Sequence, residues 1–132
     1  MQTAELFPPL FSFRVPAGFP SPADDYIDKR LDLNELLVPR PAATLFYWVQ
    51  DHAMDKSTLW PGDMLIVDRS CTATSGRIVL VRINGETLVR RLEVNSKKGW
   101  LIADNPDFPA IELKEGLDYR ILGVVRHRIH AV

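Results

Sequence analysis

The chain has 132 residues, of which 46% are hydrophobic and 25% charged, and its formal net charge is −1. This length is typical of one domain with its own core. The near-neutral charge excludes an overall basic field for nucleic-acid binding. The single cysteine, Cys71, excludes an internal disulfide and fits a reducing compartment. The start of the sequence lacks the features of a signal peptide, and no segment approaches the roughly 18 apolar residues of a membrane span. We therefore expect a soluble, cytoplasmic protein with no membrane partner.

The first thirty residues are interrupted by proline, which is excluded from helix interiors and central strands. Each proline also favours an extended conformation in the residue before it. We therefore predict an extended arm over residues 1–30 and a folded domain over residues 31–132. An extended segment of this kind suits a peptidase cleft, which can bind a chain by adding it as a strand to a sheet edge. The prolines concerned are Pro8, Pro9, Pro16, Pro20 and Pro22.

A short helix is predicted over Leu31–Val38, where three leucines share a face and Asp32 and Glu35 have the spacing of a capping box. From Thr44 onward the pattern changes to short apolar or aromatic runs separated by turn residues, which indicates strands. Asn84-Gly85 lies between two such runs and is a strong hairpin signal. The whole pattern predicts a mainly β, compact, barrel-like domain. The predicted strands are 45–49, 64–67, 78–81, 87–89, 100–102 and 121–130.

Five segments carry a family resemblance: 18–23, 32–34, 61–68, 84–92 and 123–125. In this order and with compatible gaps, they resemble UmuD-like proteins of the LexA-like self-cleaving serine peptidase family. They include a proline-rich segment that resembles the one just after the family's cleavage point, and a hairpin that resembles the one carrying the family's catalytic lysine. The resemblance covers nearly the whole chain. It implies the LexA/UmuD C-terminal peptidase-type fold.

The resemblance implies a serine–lysine dyad that cuts the arm, with the scissile bond at Ala17–Gly18. Lysine can act as the base when burial favours its neutral form. In this chain the family's serine position falls on Ala53 and its lysine position on Arg90. Alanine has no nucleophilic atom, and arginine stays protonated in proteins. The chain as written is therefore expected not to cleave itself, whether the two replacements are natural or engineered.

Other residues are weaker candidates for this chemistry. Ser57 adjoins Lys56, but neighbours on a strand point to opposite faces and make a poor dyad. Cys71 reads best as a small buried thiol. The three histidines lack partners at zinc spacing, so we predict no metal and no cofactor. These histidines are His52, His127 and His130.

A cation in a partly buried cleft, as expected for Arg90, needs an acidic partner or several hydrogen-bond acceptors. We predict that it pairs with Asp51, Asp55 or Glu86. The later basic residues are interspersed with acidic ones, which favours a mixed solvated surface and argues against sequence-specific DNA binding.

The resemblance further implies a homodimer that serves SOS mutagenesis. Its expected partners are the RecA–DNA filament, which stimulates self-cleavage in the family, and a Y-family translesion DNA polymerase subunit. Two alternatives stay open at this point. The chain is an active peptidase if Ala53 is an introduced change or another residue supplies the nucleophile, or it is an interaction module or pseudo-peptidase with no role in DNA damage.

Overall fold

The computed structural model describes residues 32–132, which fall into two units, 32–42 and 43–132. The first unit contains the helix α1, Leu33–Leu37, and Asp32 is its N-cap. The Asp32 carboxylate accepts hydrogen bonds from the backbone N–H groups of Asn34 and Glu35, which are otherwise unpaired in a first turn. The predicted helix is thus confirmed with a shorter span. The predicted arm, residues 1–30, and the Ala17–Gly18 bond lie outside the described residues.

The second unit is one antiparallel sheet of seven strands in the order β1-β2-β7-β3-β4-β5-β6. The mainly β prediction is confirmed. The last strand in the sequence lies in the middle of the sheet, between β2 and β3, so the two halves of the unit are joined by its C-terminal strand. Short 3-10 turns occur at Pro41–Ala43 and Asp55–Ser57. The strands are β1 Thr44–Trp48, β2 Met64–Asp68, β3 Ile78–Ile83, β4 Glu86–Val94, β5 Gly99–Ile102, β6 Ile111–Leu113 and β7 Tyr119–Ile129.

The hairpin between β3 and β4 forms as predicted. Asn84 and Gly85 have φ angles of 49° and 88°, the left-handed conformation that a two-residue hairpin turn requires and that asparagine and glycine tolerate best. This turn sets the register of β4, in which Arg90 lies opposite Val79. The hairpin therefore fixes the position of Arg90 relative to the rest of the sheet.

Both sides of the central strand β3 are buried. Leu80 belongs to one apolar cluster, and its neighbours Val79 and Val81 belong to a second, as the two-residue alternation of a strand requires. The first cluster also contains Ala53 and Met54 from the connection between β1 and β2. That connection is thereby packed against the sheet as part of the core. Within residues 32–132, no helix is long and apolar enough to cross a membrane.

Candidate functional site

Ala53 lies in the connection between β1 and β2 and is fully buried. Its N–H donates a 3.0 Å hydrogen bond to Oδ1 of Asp51, and its carbonyl accepts a 2.9 Å bond from the N–H of Asn105. Met54 follows and is also buried. The backbone of residue 53 is therefore held on both sides, while its side chain is a methyl group inside the core.

Asn105 anchors this connection from the loop that follows β5. Its side-chain N–H₂ donates to the carbonyl of His52 at 3.1 Å and to Oδ1 of Asp55 at 3.2 Å, and its side-chain Oδ1 accepts from the N–H of Asp107. Asn105 is buried. Because one amide side chain joins two loops, the geometry around Ala53 depends on residues more than fifty positions away.

Arg90, on β4, is buried, with 6% of its surface exposed. Its Nη1 donates to the Val89 carbonyl at 2.8 Å and lies 3.9 Å from Oδ2 of Asp51. Its Cζ lies 5.6 Å from the centre of the Phe108 ring, within cation–π range. The predicted pairing with an acid is confirmed, with Asp51 as the partner, although 3.9 Å is an electrostatic contact and too long for a hydrogen bond.

The electrostatics of Arg90 are those of a cation in an unfavourable site. Burial lowers the pKa of its guanidinium, and the charges of Asp51 and Tyr47 act in the opposite direction. Its Nε is the one buried side-chain nitrogen or oxygen among residues 32–132 without a hydrogen-bond partner. Arginine still remains protonated, so this position holds a fixed positive charge and supplies no base.

Tyr47, on β1, completes the surroundings of Arg90. Its hydroxyl donates to the Thr87 carbonyl on β4 at 3.2 Å. Burial raises the pKa of Tyr47, the charge of Asp51 raises it further, and that of Arg90 lowers it. The phenol is therefore neutral at ordinary pH and acts as a hydrogen-bond donor between two strands that are not neighbours in the sheet.

The structure thus brings the two sequence-predicted site positions to one carboxylate. Asp51 accepts from the N–H of Ala53 through one oxygen and faces Arg90 with the other. Sequence reasoning did not identify Tyr47, Phe108 or Asn105 as part of this site. The signals available were weak: a tyrosine in an aromatic strand, and an asparagine and a phenylalanine in a proline-flanked loop.

Ser57 belongs to a separate polar cluster. Its hydroxyl donates to Oδ2 of Asp104, and Nη2 of Arg91 donates to the same carboxylate oxygen at 2.8 Å. The side-chain hydrogen bond from Arg91 to Asp104 raises the pKa of Arg91 above its usual range, against the opposing effect of its burial. Ser57 and Lys56 lie in the 3-10 turn Asp55–Ser57, so the prediction that placed them on a strand is wrong. The Ser57 hydroxyl contacts a carboxylate and an arginine, and neither of these groups is a neutral amine.

The other candidate nucleophile and the candidate bases lie elsewhere. Cys71 is half-buried and not fully buried as predicted, and its Sγ accepts from Nη1 of Arg126 at 3.1 Å. His52 is exposed, with Nδ1 3.4 Å from Asp55 and its ring edge-on to Trp60. His130 Nδ1 lies 2.5 Å from Oδ1 of Asp63, at the start of β2. Within residues 32–132, no group of three or more His, Cys, Asp or Glu side chains is arranged to hold a metal ion.

Comparison with known proteins identifies the class of protein to which this chain belongs. The profile of the Peptidase S24-like family matches residues 9–126, so the chain belongs to that family. The chain is 40% identical to Protein ImpA of Escherichia coli over 123 residues, covering 92% of this chain and 83% of that one. It is 40% identical to Protein SamA of Salmonella typhimurium strain LT2 over 122 residues, covering 92% and 84%.

A more distant relative is the LexA repressor of Pseudomonas chlororaphis, which is 33% identical over 121 residues, covering 86% of this chain and 58% of the repressor. Protein MucA of Escherichia coli is 38% identical over 122 residues, covering 92% and 83%. Within the S24-like family, the chain is accordingly a UmuD-like, LexA-like protein, as the order of the five sequence segments indicated. These relationships support a UmuD-like role for it.

Proposed function

We propose that this chain is an SOS mutagenesis accessory protein of an error-prone translesion DNA polymerase and that it remains uncleaved. The similarity to ImpA, SamA and MucA supports the UmuD-like role. The observation that carries the second part of the proposal, that the chain remains uncleaved, is the chemistry of the side chains at two positions. The position that resembles the family's nucleophile is a buried alanine, and the position that resembles its base is a buried arginine.

Self-cleavage at Ala17–Gly18 needs a hydroxyl nucleophile and a neutral amine within hydrogen-bond reach of it. The methyl group of Ala53 offers no lone pair, and the Arg90 guanidinium does not give up its proton at accessible pH. The carboxylate of Asp51, 3.9 Å away, further favours the cationic form. On this proposal the arm stays attached even when an activating partner is present.

Retention of the arm has a functional consequence. In UmuD-like proteins the RecA–DNA filament promotes cleavage and the shortened form then supports the polymerase, so an uncleaved form restrains mutagenesis. We propose that this chain forms a homodimer in the cytoplasm, binds a Y-family polymerase subunit and the RecA–DNA filament, and acts as a restraining or decoy subunit. Sequence-specific DNA binding is not part of this proposal.

The uncleaved state is tested by incubating the full chain with RecA filament on single-stranded DNA, and separately at about pH 10, near the unperturbed pKa of lysine. We expect the intact mass to stay unchanged in both reactions. A self-cleaving member of the same family serves as the positive control. Loss of residues 1–17 from this chain would overturn the proposal and identify an active peptidase.

The polymerase role is tested separately, by titrating the chain into a Y-family polymerase subunit and measuring binding by calorimetry, with an unrelated polymerase as the control. We expect saturable binding to the Y-family subunit and none to the control. Sedimentation of the chain alone gives its oligomeric state. Absence of binding, with the dimer present, would favour an interaction module without a role in DNA damage.

A further inference from the structure

One carboxylate, that of Asp51, contacts both positions that resemble the family's dyad. Its Oδ1 accepts the N–H of Ala53 at 3.0 Å, and its Oδ2 lies 3.9 Å from Nη1 of Arg90. Asp51 is partly exposed, with 41% of its side-chain surface accessible, whereas Ala53 and Arg90 are buried. The carboxylate therefore lies at the mouth of the site, between the backbone of one position and the side chain of the other.

The hydrogen bond to the Ala53 N–H bears on self-cleavage because that reaction would use the same N–H group as a donor. In a chain carrying Ala53→Ser and Arg90→Lys, the serine oxygen would attack the Ala17 carbonyl carbon and pass its proton to the neutral lysine amine. The carbonyl electron pair would move to the oxygen and create an oxyanion. The backbone N–H of the nucleophilic residue is a common donor to such an oxyanion.

The remaining steps use the same groups. Collapse of the tetrahedral species breaks the Ala17–Gly18 C–N bond, and the protonated lysine returns the proton to the Gly18 nitrogen. A water molecule, deprotonated by the lysine, then attacks the serine ester; the C–O bond to serine breaks, the lysine returns the proton to the serine oxygen, and the Ala17 carboxylate is released. In this structure the N–H of residue 53 is already bonded to a carboxylate. An oxyanion placed there would lose a donor and meet a negative charge.

The contact with position 90 acts on the base. The charged groups that influence Arg90 are Asp51, from the connection after β1, and Tyr47, from β1, while the loop after β5 contributes the uncharged Phe108 ring. Tyr47 is neutral at ordinary pH, which leaves Asp51 as the charge that faces this site. An amine introduced at position 90 would be held in its ammonium form by that carboxylate, and an ammonium group accepts no proton.

We propose that Asp51 is a third disabling residue, which blocks self-cleavage by occupying the N–H of residue 53 and by holding a cation at position 90. This inference rests on the proposed function, in which the unaltered chain does not cleave itself. It adds that restoring serine and lysine at the two dyad positions is insufficient, and that the site becomes competent when the Asp51 carboxylate is removed as well.

The test compares self-cleavage rates of four variants of the full chain, measured by intact mass at about pH 10. The parent carries Ala53→Ser and Arg90→Lys. To it we add Asp51→Ala, which removes charge and acceptor, or Asp51→Asn, which removes the charge and keeps an acceptor. Asp107→Asn is the matched control, because Asp107 is exposed and the carboxylate that contacts Ala53 and Arg90 in the described part of the chain is that of Asp51.

We expect Asp51→Ala to accelerate loss of residues 1–17 at least about tenfold over the parent, since one oxyanion donor is worth roughly 10²–10³ in rate. Asp51→Asn should give a smaller increase and Asp107→Asn none. The pH midpoint of the rate should also fall by about one unit with Asp51→Asn, because removing an opposite charge lowers the pKa of an amine. A residue with a merely structural role would not move that midpoint.

A second readout needs no arm in the site: a fluorophosphonate probe reacts with a serine that has a working base and oxyanion site. We expect labelling of the Asp51→Ala and Asp51→Asn variants to exceed that of the parent and of the Asp107→Asn control. If removing Asp51 changes both the cleavage rate and the labelling by less than about twofold relative to the parent, the role of Asp51 is overturned. This holds if all variants react similarly and equally if none of them reacts. Cleavage by the unaltered chain would instead overturn the proposed function.

Discussion

At the scale of single residues, the site is organised by a buried cation with few partners. Arg90 has one full hydrogen bond from its guanidinium, to the carbonyl of Val89, and a distant counter-charge in Asp51. Its Nε is unpaired and buried. Burying a charge is costly unless hydrogen bonds and opposite charges compensate it, and replacing such a pair by apolar side chains is often neutral or stabilising.

We therefore expect Arg90→Met to leave the free energy of unfolding unchanged or to raise it, since Met keeps apolar contact with Phe108. Asp51→Ala should lower it by about 1–3 kcal/mol, because Arg90 would then be buried without its counter-charge and the Ala53 N–H without its acceptor. Urea unfolding of the two single variants and of the double variant measures these changes in the free energy of unfolding.

The double variant is the control for the origin of the loss at Asp51. Adding Arg90→Met should restore part of the stability that Asp51→Ala removes, because the stranded cation is gone. Strictly additive effects of the two changes would show that the two side chains are not coupled. Strong destabilisation by Arg90→Met alone would show that the contacts of Arg90 outweigh its desolvation.

The site also shows how far residues can be interpreted without a structure. The sequence alone predicted an acidic partner for Arg90, because a buried cation requires a counter-charge, and Asp51 was one of three nearby candidates. Tyr47, Phe108 and Asn105 were not predictable, because each meets the site through a partner distant in the sequence: Thr87 for Tyr47, Arg90 for Phe108 and His52 for Asn105. Local pattern indicates which residue needs a partner, and the register of the sheet decides which one it meets.

At the scale of elements, strands with a strong local sequence signal were predicted, whereas β6, whose local signal is weak, was missed. The β3–β4 hairpin follows from Asn84-Gly85, whose turn geometry few other residue pairs adopt easily. The strand β6, Ile111–Leu113, has three residues and is paired with β5. So short a run carries no distinguishing periodicity, and it is a strand because β5 offers it an edge.

Gly123 on β7 is required by close packing between two strands. A Cβ built at this position would lie 2.7 Å from Cγ1 of Val67 and 2.9 Å from the carbonyl oxygen of Asp68, both on β2. A backbone oxygen has little freedom to move away. We expect Gly123→Ala to lower the free energy of unfolding by about 1–3 kcal/mol, as overpacking of a core does, measured by urea unfolding.

Gly99, on β5, provides the matched control for that substitution. A Cβ at Gly99 would meet its nearest atom, Cδ1 of Leu113, at 3.5 Å, which is ordinary van der Waals contact. Gly99→Ala should therefore change stability much less than Gly123→Ala. Equal losses in the two variants would attribute the effect to glycine conformation or entropy and would contradict a steric role for Gly123.

At the scale of the whole molecule, one buried carboxylate joins the start of β2 to the chain beyond β7. Asp63 accepts hydrogen bonds from the N–H of Trp60 at 3.0 Å and from His130, and it forms a longer ion pair with Arg128, whose Nη1 lies 3.8 Å from Oδ2. Burial raises the pKa of Asp63, but the hydrogen bonds from His130 and Trp60, with the charges of His130 and Arg128, outweigh it and lower the pKa below its usual value.

A lowered pKa in the folded state makes stability depend on pH with a defined sign. The unfolded chain binds a proton at Asp63 near its ordinary pKa of about 3.9, whereas the folded chain binds it at lower pH. The stabilisation is therefore fully present above about pH 4 and is lost as pH falls through the folded-state pKa. Asp63 should thus contribute to the resistance of the folded unit 43–132 to acid.

We expect Asp63→Asn to lower the free energy of unfolding at neutral pH and to flatten its decline below about pH 4. Urea unfolding of both proteins between neutral pH and about pH 2 measures the difference, which should narrow steadily as the pH falls. Asp118→Asn, at an exposed position, is the control and should leave the profile unchanged. A difference that persists undiminished at the lowest pH would assign the loss to packing, because the ionised carboxylate would then contribute nothing to it.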